Sequence, residues 1–355
     1  MDLLYEKILR PYFFTKDAET AHDYALNALR LLDAVPFLPQ IMERYHLRPR
    51  HSQRVRLFGL DFPNAVGLAA GFDKNALAWP AAGALGFGHV EIGTITLHEQ
   101  PGNEKPRVFR YPKYEAAVNR YGFPNAGAEK IARRLAAAPG KGKRSFPLGI
   151  NIGKSKVTPL DEAHLDYVGS FRLLADYADF MVVNISSPNT PGLRELQGRD
   201  YLVDLLKALQ VENQDRAQRL DTAPLPFLLK IAPDLNFTQL DDILRIVEES
   251  GFNGIVATNT TISRPDYLAD AERTGGLSGR PLLEKSLGIV RYLARESKGR
   301  LPIIGSGGIC QVEDAGRFMD EGASMVQIYT GMVYRGPFFP ARVARALAWH
   351  QRDWA

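Results

Sequence analysis

At 355 residues and 45% hydrophobic content, the chain can bury a full core, either as two or three ordinary domains or as one α/β barrel. Its single cysteine, Cys310, excludes an internal disulfide and a thiolate metal cage, and its seven histidines lack HExxH or paired i, i+4 spacing, so no metal site is expected. The net charge of +4 reads as a solvated surface with excess arginine, and no RNA or DNA motif accompanies it, so no nucleic-acid partner is expected.

Residues 1–50 read as two short amphipathic helices. The first carries Leu3, Leu4, Ile8 and Leu9 into Tyr12, Phe13 and Phe14. The second starts near Asp17 and carries Ala21, Tyr24, Ala25, Ala28, Leu29, Leu31 and Leu32, until Pro36 and Pro39 break it and leave Phe37, Leu38, Ile41 and Met42. No acid lies between Glu43 and Asp61, where Arg44, Arg48, Arg50, Arg54, Arg56, His46 and His51 crowd together. Two readings stand: helices that pack on the main domain, or a surface pair that dips into an anionic membrane. No run approaches roughly 18 uninterrupted apolar residues, so no membrane span is expected, and the N-terminus is not a secretory signal. Residues 54–64 then suggest a small hairpin turning at Gly59.

Short apolar strands alternating with helical patterns follow. Candidate strands are 64–68, 89–93, 147–151, 180–184, 227–231, 254–258, 302–306 and 325–329, with helical spacing at 165–175 and through Leu240, Ile243, Leu244, Ile246 and Val247. Near-continuous apolar strands predict a parallel sheet covered on both faces. Eight such units fit a closed (β/α)8 TIM barrel better than an open sheet, and no GxGxxG follows the first strand. Three gaps, 94–146, 185–226 and 259–301, are long and follow strand C-termini, where barrel enzymes build their sites.

Amides, hydroxyls and two lysines collect at those ends. They include Lys74, Thr94, Asn151, Asn184, Ser187, Asn189, Lys230, Thr258, Asn259, Thr260, Tyr329 and Thr330, with hardly a free carboxylate. That inventory lacks the paired acids of a glycosidase and suits a planar heterocycle with amide edges. Gly305, Gly307 and Gly308 let backbone N–H groups approach a phosphate, and Gly275, Gly276 and Gly279 add a flexible loop; together they suggest a nucleotide-like cofactor such as FMN. In 180–194 an apolar strand runs into a loop stiffened by Pro188 and Pro191, in which spacing does not distinguish Ser186 from Ser187. Another FMN barrel acting on a pyrimidine, or a membrane-bound barrel without activity, are the rival readings.

The blocks Gly67–Lys74, Glu91–Thr94, Pro101–Arg107, Asn119–Phe123, Gly149–Lys154, Asn184–Arg194, Lys230–Asp234, Ala257–Thr261, Thr274–Pro281 and Gln327–Gly331 resemble the quinone-dependent (class 2) dihydroorotate dehydrogenases, in order, from about residue 5 to 348. The resemblance implies FMN in the barrel mouth, oxidation of dihydroorotate to orotate in pyrimidine synthesis, and electron transfer to a membrane quinone. Flavin contacts carried over fall on Ala70, Gly71, Phe72, Asp73, Lys74, Thr94, Asn151, Asn184, Lys230, Thr258, Gly279, Gly308, Tyr329 and Thr330. Substrate contacts fall on Lys74, Asn119, Arg120, Tyr121, Gly122, Phe123, Asn184, Asn189, Asn259 and Thr260, and the base on Ser187. Phe72 and Pro124 depart from the usual family blocks. Class 1 relatives carry Cys at the base position and lack the N-terminal helices, so this chain sides with class 2. The implied mechanism takes a proton from C5 with Ser187 and sends the C6 hydride to flavin N5. Residues 1–53 become a membrane and quinone-access segment and 54–355 the catalytic domain, with a monomer bound peripherally to the cytoplasmic side of the cell membrane.

Overall fold

The computed structural model describes residues 4–48, 51–272 and 274–350, the His350 side chain excepted, so Leu3 and Arg50 lie outside the described residues. All eight predicted strands form: β1 (Val66–Leu68), β2 (His89–Ile95), β3 (Leu148–Ile152), β4 (Phe180–Asn184), β5 (Phe227–Ile231), β6 (Gly254–Ala257), β7 (Ile303–Ser306) and β8 (Met325–Ile328). They pair in parallel in chain order and close, β8 against β1, into one barrel. Every residue of these strands is buried, because one face fills the barrel and the other lies under helices.

Those helices are α4 (Ala128–Ala136), α5 (Ala163–Leu174), α6 (Arg199–Leu220), α7 (Phe237–Glu249), α8 (Leu283–Glu296) and α9 (Val312–Asp320), with α10 (Thr330–Arg335) and α11 (Phe339–His350) after β8. In α7, Leu240, Ile243, Leu244, Ile246 and Val247 are the buried stripe, and Asn236 caps it by accepting the Gln239 N–H at 2.9 Å. Between β1 and β2 a 3-10 segment, Trp79–Leu85, replaces the helix. Its small residues bring the N-terminal helices close: a Cβ on Gly83 would collide with Glu43 and Phe146.

The hairpin (Val55–Leu57 with Leu60–Phe62) turns through Phe58 and Gly59, both left-handed, as a two-residue turn matching strand twist requires. Phe62 packs edge-on against His89 and near Phe180, at the starts of β2 and β4, so the hairpin closes the N-terminal end of the barrel.

Two of the three long gaps are true insertions. The third, 185–226, is mostly α6, a single 22-residue helix. Within the insertions, Val108–Tyr111, Ala116–Asn119 and Gly276–Gly279 form an antiparallel sheet over a small second core of Val118, Leu268 and Leu277. Gly276 and Gly279 therefore belong to a strand, with Gly275 in the bend just before it, and not to a flexible loop. A side chain on Gly275 or Gly279 would run into the carbonyls of Asn119 or Glu115, so glycine here permits close backbone pairing.

The N-terminal segment holds one helix more than expected. A π turn (Tyr5–Leu9) runs into α1 (Arg10–Phe14), followed by α2 (Ala18–Asp33) and α3 (Leu38–His46). Asp17 caps α2 by accepting the N–H groups of Glu19 and Thr20 at 3.0 and 3.1 Å. Pro39 does not end a helix; it sits in the first turn of α3, where its missing N–H costs nothing.

Candidate active site

The strand C-termini converge on one cavity. Ala70, Gly71 and Lys74 reach it from β1, Thr94 from β2, Asn184, Ser187 and Asn189 from β4, and Lys230 from β5. Thr258, Asn259 and Thr260 enter from β6, Gly308 from β7, Tyr329 and Thr330 from β8, while the insertions add Asn119, Tyr121, Gly122, Phe123 and Gly279. Four expected residues are placed elsewhere. Asp73 accepts the N–H groups of Leu77, Ala78 and Trp79 at 2.7–2.9 Å, and Asn151 lies buried beneath the cavity. Arg120 turns outward to the Pro106 carbonyl and Thr274, and Phe72 faces a second, apolar cavity.

The loop after β4 separates its two serines. Ser186 is fully buried, donates to Asn184 Oδ1 at 2.8 Å and accepts from Asn259 Nδ2 at 2.9 Å. Ser187 faces the cavity and accepts the Asn189 N–H at 3.2 Å, leaving its own proton outside that bond. Asn189 donates to the Asn119 carbonyl and side chain, both at 3.2 Å, which ties this loop to the first insertion. The prolines are only part of what stiffens it. Arg194 donates to the carbonyls of Ser186 and Thr260 at 3.1 Å and to Asp234 at 3.0 Å, and Asp234 also holds Lys285 at 2.5 Å. Burial pushes the Asp234 carboxyl up, but hydrogen bonds from the Lys285 ammonium, the Thr261 hydroxyl and the Ile262 N–H outweigh it and hold that carboxyl below the usual carboxylate range.

The first insertion is held in the same way. Arg107 donates to the carbonyls of Pro101 and Asn103 at 2.7 and 2.9 Å, and Asn103 and Gln100 hold the backbone of Arg120 and Gly122, both at 2.9 Å. Beside it, Lys74 lies 4.0 Å from the centre of the Tyr121 ring. Loss of water brings the Lys74 ammonium down to about 8, against an upward pull from Glu19.

At the opposite end, Gly307 and Gly308 have φ of 111° and 93° and leave backbone open to the cavity. A methyl group on Gly308 would collide with the backbone of Leu283 at the start of α8.

The second cavity, about 480 Å³, is an apolar cleft between α1, α2 and the barrel rim, lined by Phe13, Ala21, Ala25, Phe72, Val333 and Phe338 among others. His22 stands in it, 5.0 Å edge-on to Phe72, and burial brings its pKa down to about 3, so it is neutral. Asn119, Tyr121, Ser278, Tyr329 and Thr330 line both cavities and form the wall between them. Sequence reasoning missed this shared wall, and also Glu91 and Gln327 under the polar cavity. A lone carboxylate in an apolar strand was the available signal for Glu91.

Amides, hydroxyls, two lysines and a glycine cradle at the C-terminal face define a ligand-binding (β/α)8 barrel enzyme. The family model for dihydroorotate dehydrogenase matches residues 52–350, and the chain belongs to that family. It is 48% identical to a dihydroorotate dehydrogenase (quinone) of Chloroflexus aurantiacus, covering 99% of this chain and 98% of that one. Identity to the enzyme of the same name from Acidithiobacillus ferrooxidans is 49%, covering 93% and 91%. Among solved structures, that of DHODH in complex with ferulenol from Eimeria tenella matches with a TM-score of 0.84 at 40% identity, covering 93% of this chain and 90% of that one.

Proposed function

We propose that this chain is a quinone-dependent dihydroorotate dehydrogenase that oxidises dihydroorotate to orotate with FMN and delivers the electrons to a membrane quinone, the redox step of pyrimidine synthesis. The observation that carries this reading is the pair of cavities: a polar one for the pyrimidine and flavin and an apolar one for the quinone, divided only by residues such as Tyr121 and Tyr329. Residues 1–53 serve as the membrane-facing segment and 54–355 as the catalytic unit. We read the protein as a monomer seated on the cytoplasmic face of the cell membrane, which suits its exposed apolar helices and neighbouring arginines. No helix among the described residues is long and apolar enough to cross a membrane.

The donor set fits FMN. Gly279, Gly308 and Thr330 offer a small-residue cradle for its phosphate, and Thr94, Asn184, Lys230 and Thr258 offer polar contacts for its ring. Gln327 Oε1, buried beside the same cavity and without a partner among the described residues, can accept from a ligand N–H. A flavin held by these residues would supply an acceptor for the substrate hydride and a donor of electrons to the quinone.

The chain itself supplies orientation and a base. Asn119, Asn184, Asn189 and Asn259 hold the pyrimidine edge, an effect of positioning. Ser187 takes the C5 proton. A hydroxyl is a weak base, so it passes that proton on as the bond forms. Lys74 and Lys230 offset the negative charge of the carboxylate and of the reduced ring.

Purified protein should show flavin bands near about 370 and 450 nm that bleach on adding dihydroorotate and return with quinone. A flavin-loaded protein that dihydroorotate does not bleach would sink the reading. Lys74 gives a pH signature. Its ammonium is present below about pH 8 and lost above it, so orotate affinity should fall as pH rises through 8, by up to about tenfold per unit. Lys74→Met should weaken orotate at pH 7 by about 10- to 100-fold and flatten that profile in fluorescence titrations.

A further inference from the structure

We infer that Glu91 is a positioning residue: a carboxylate beneath the active site that dictates which edge Asn151, Asn184 and Asn259 present and that holds Lys230 in an ion pair. The inference rests on the reading of the site given above.

Glu91 sits mid-β2, where alternation turns it into the barrel with His89 and Gly93. It is fully buried and does not line the cavity. One of its oxygens accepts Asn151 Nδ2 at 2.6 Å and Lys230 Nζ at 3.1 Å, and the other accepts Gln327 Nε2 at 2.6 Å. An ionised carboxylate can only accept, so both amides must turn their NH2 groups toward it.

The consequence propagates. Asn151, its NH2 committed, offers Oδ1 upward, which Asn184 Nδ2 reaches at 3.3 Å. The Asn184 NH2 also donates to Thr94 at 2.9 Å, so Asn184 Oδ1 faces Ser186 and accepts from its hydroxyl. The Ser186 oxygen in turn accepts from Asn259 Nδ2, and Asn259 Oδ1 accepts the Thr260 N–H at 2.8 Å. Every bond from Asn259 to Glu91 donates in one direction. Reversing any amide would set two donors or two acceptors against each other in a buried site. The same carboxylate leaves the buried Gln327 Oε1, on a side chain that lines the cavity, without a hydrogen-bond partner among the described residues.

Charge supplies the second half. Lys230 is 4% exposed and Glu91 is its only ion-pair partner within 4.0 Å among the described residues. Breaking a buried pair leaves an uncompensated charge, which here would favour an anion on the cavity floor.

Glu91→Gln keeps the shape, removes the charge and adds a donor. In flavin-loaded protein it should shift the midpoint potential of the bound flavin positive by the equivalent of tenfold in the two-electron equilibrium constant, about 30 mV. Orotate, titrated by the flavin spectrum, should bind at least tenfold more weakly. Glu91→Asp keeps the charge but shortens the reach, so it should weaken orotate tenfold while the potential stays at the wild-type value. Wild-type potential and orotate affinity in Glu91→Gln would overturn the inference. If that variant does not fold, wild-type orotate affinity in Glu91→Asp overturns it instead. Failure of the wild-type protein to bind flavin and orotate at all would strike the proposed function, a separate result.

Discussion

Replacing Ser187 with alanine should leave a yellow protein that binds orotate with wild-type affinity, while turnover with dihydroorotate at neutral pH falls by about 10²- to 10⁴-fold, the usual worth of a positioned base. The variant is discriminating because of what Ser187 does not hold. Its oxygen accepts one N–H, from Asn189 two residues on, and the loop around it is fixed by Arg194, Asp234 and Pro188. Deleting the hydroxyl therefore removes a proton acceptor without releasing the loop. Ser186→Ala is the contrasting control. That hydroxyl links Asn184 to Asn259, so its loss should weaken orotate binding and leave the deprotonation step available once substrate is bound. Stopped-flow bleaching of the flavin at saturating dihydroorotate separates the two. A fast bleach in Ser187→Ala would assign the base elsewhere.

The two serines also mark how far the chain was legible as text. The barrel was readable because eight apolar runs, covered on both faces and with no GxGxxG after the first, fit a closed barrel better than an open sheet. Most cavity residues were readable because strand C-termini can be counted once the strands are known. What spacing leaves open is side-chain direction within an irregular loop, since no period governs residues 184–194; there the choice of Ser187 came from family resemblance, and only the structure shows that Ser187 faces the cavity while Ser186 is buried. Long-range pairing was equally hidden. Gly276–Gly279 reads as a loop until Ala116–Asn119, some 160 positions earlier, is placed beside it. Asp73 and Arg120 sit inside site motifs, but their side chains serve a helical segment and an insertion. Glu91 was passed over because a single acid in a strand shows its partners, Asn151, Lys230 and Gln327, only when the barrel closes.

The largest effect expected outside the polar site concerns residues 4–46. Eleven of the twenty-two large exposed apolar side chains among the described residues lie between Leu4 and Tyr45, with Phe37 76%, Leu31 70% and Ile41 63% exposed. Packing alone does not call for such a surface, whereas immersion in a lipid interface does. The other face of the segment is tied down: Tyr5 donates to the Val333 carbonyl at 2.7 Å, and Glu19 pairs with Arg107 at 2.6 Å. Arg110 meanwhile donates to the carbonyls that end α1, so the cleft holding His22 and Phe72 lies between helices and barrel. Replacing Phe37 and Ile41 together with glutamate should abolish flotation with anionic vesicles and lower reduction of a long-chain quinone by about 100-fold. Bleaching of the flavin by dihydroorotate, and reoxidation by a small soluble acceptor, should keep wild-type rates. Equal loss with both acceptors would make α2 and α3 structural supports of the barrel. Loss confined to the long-chain quinone would mean that lipid contact and access to the Tyr329 wall belong to one device, the cleft between the helices and the barrel.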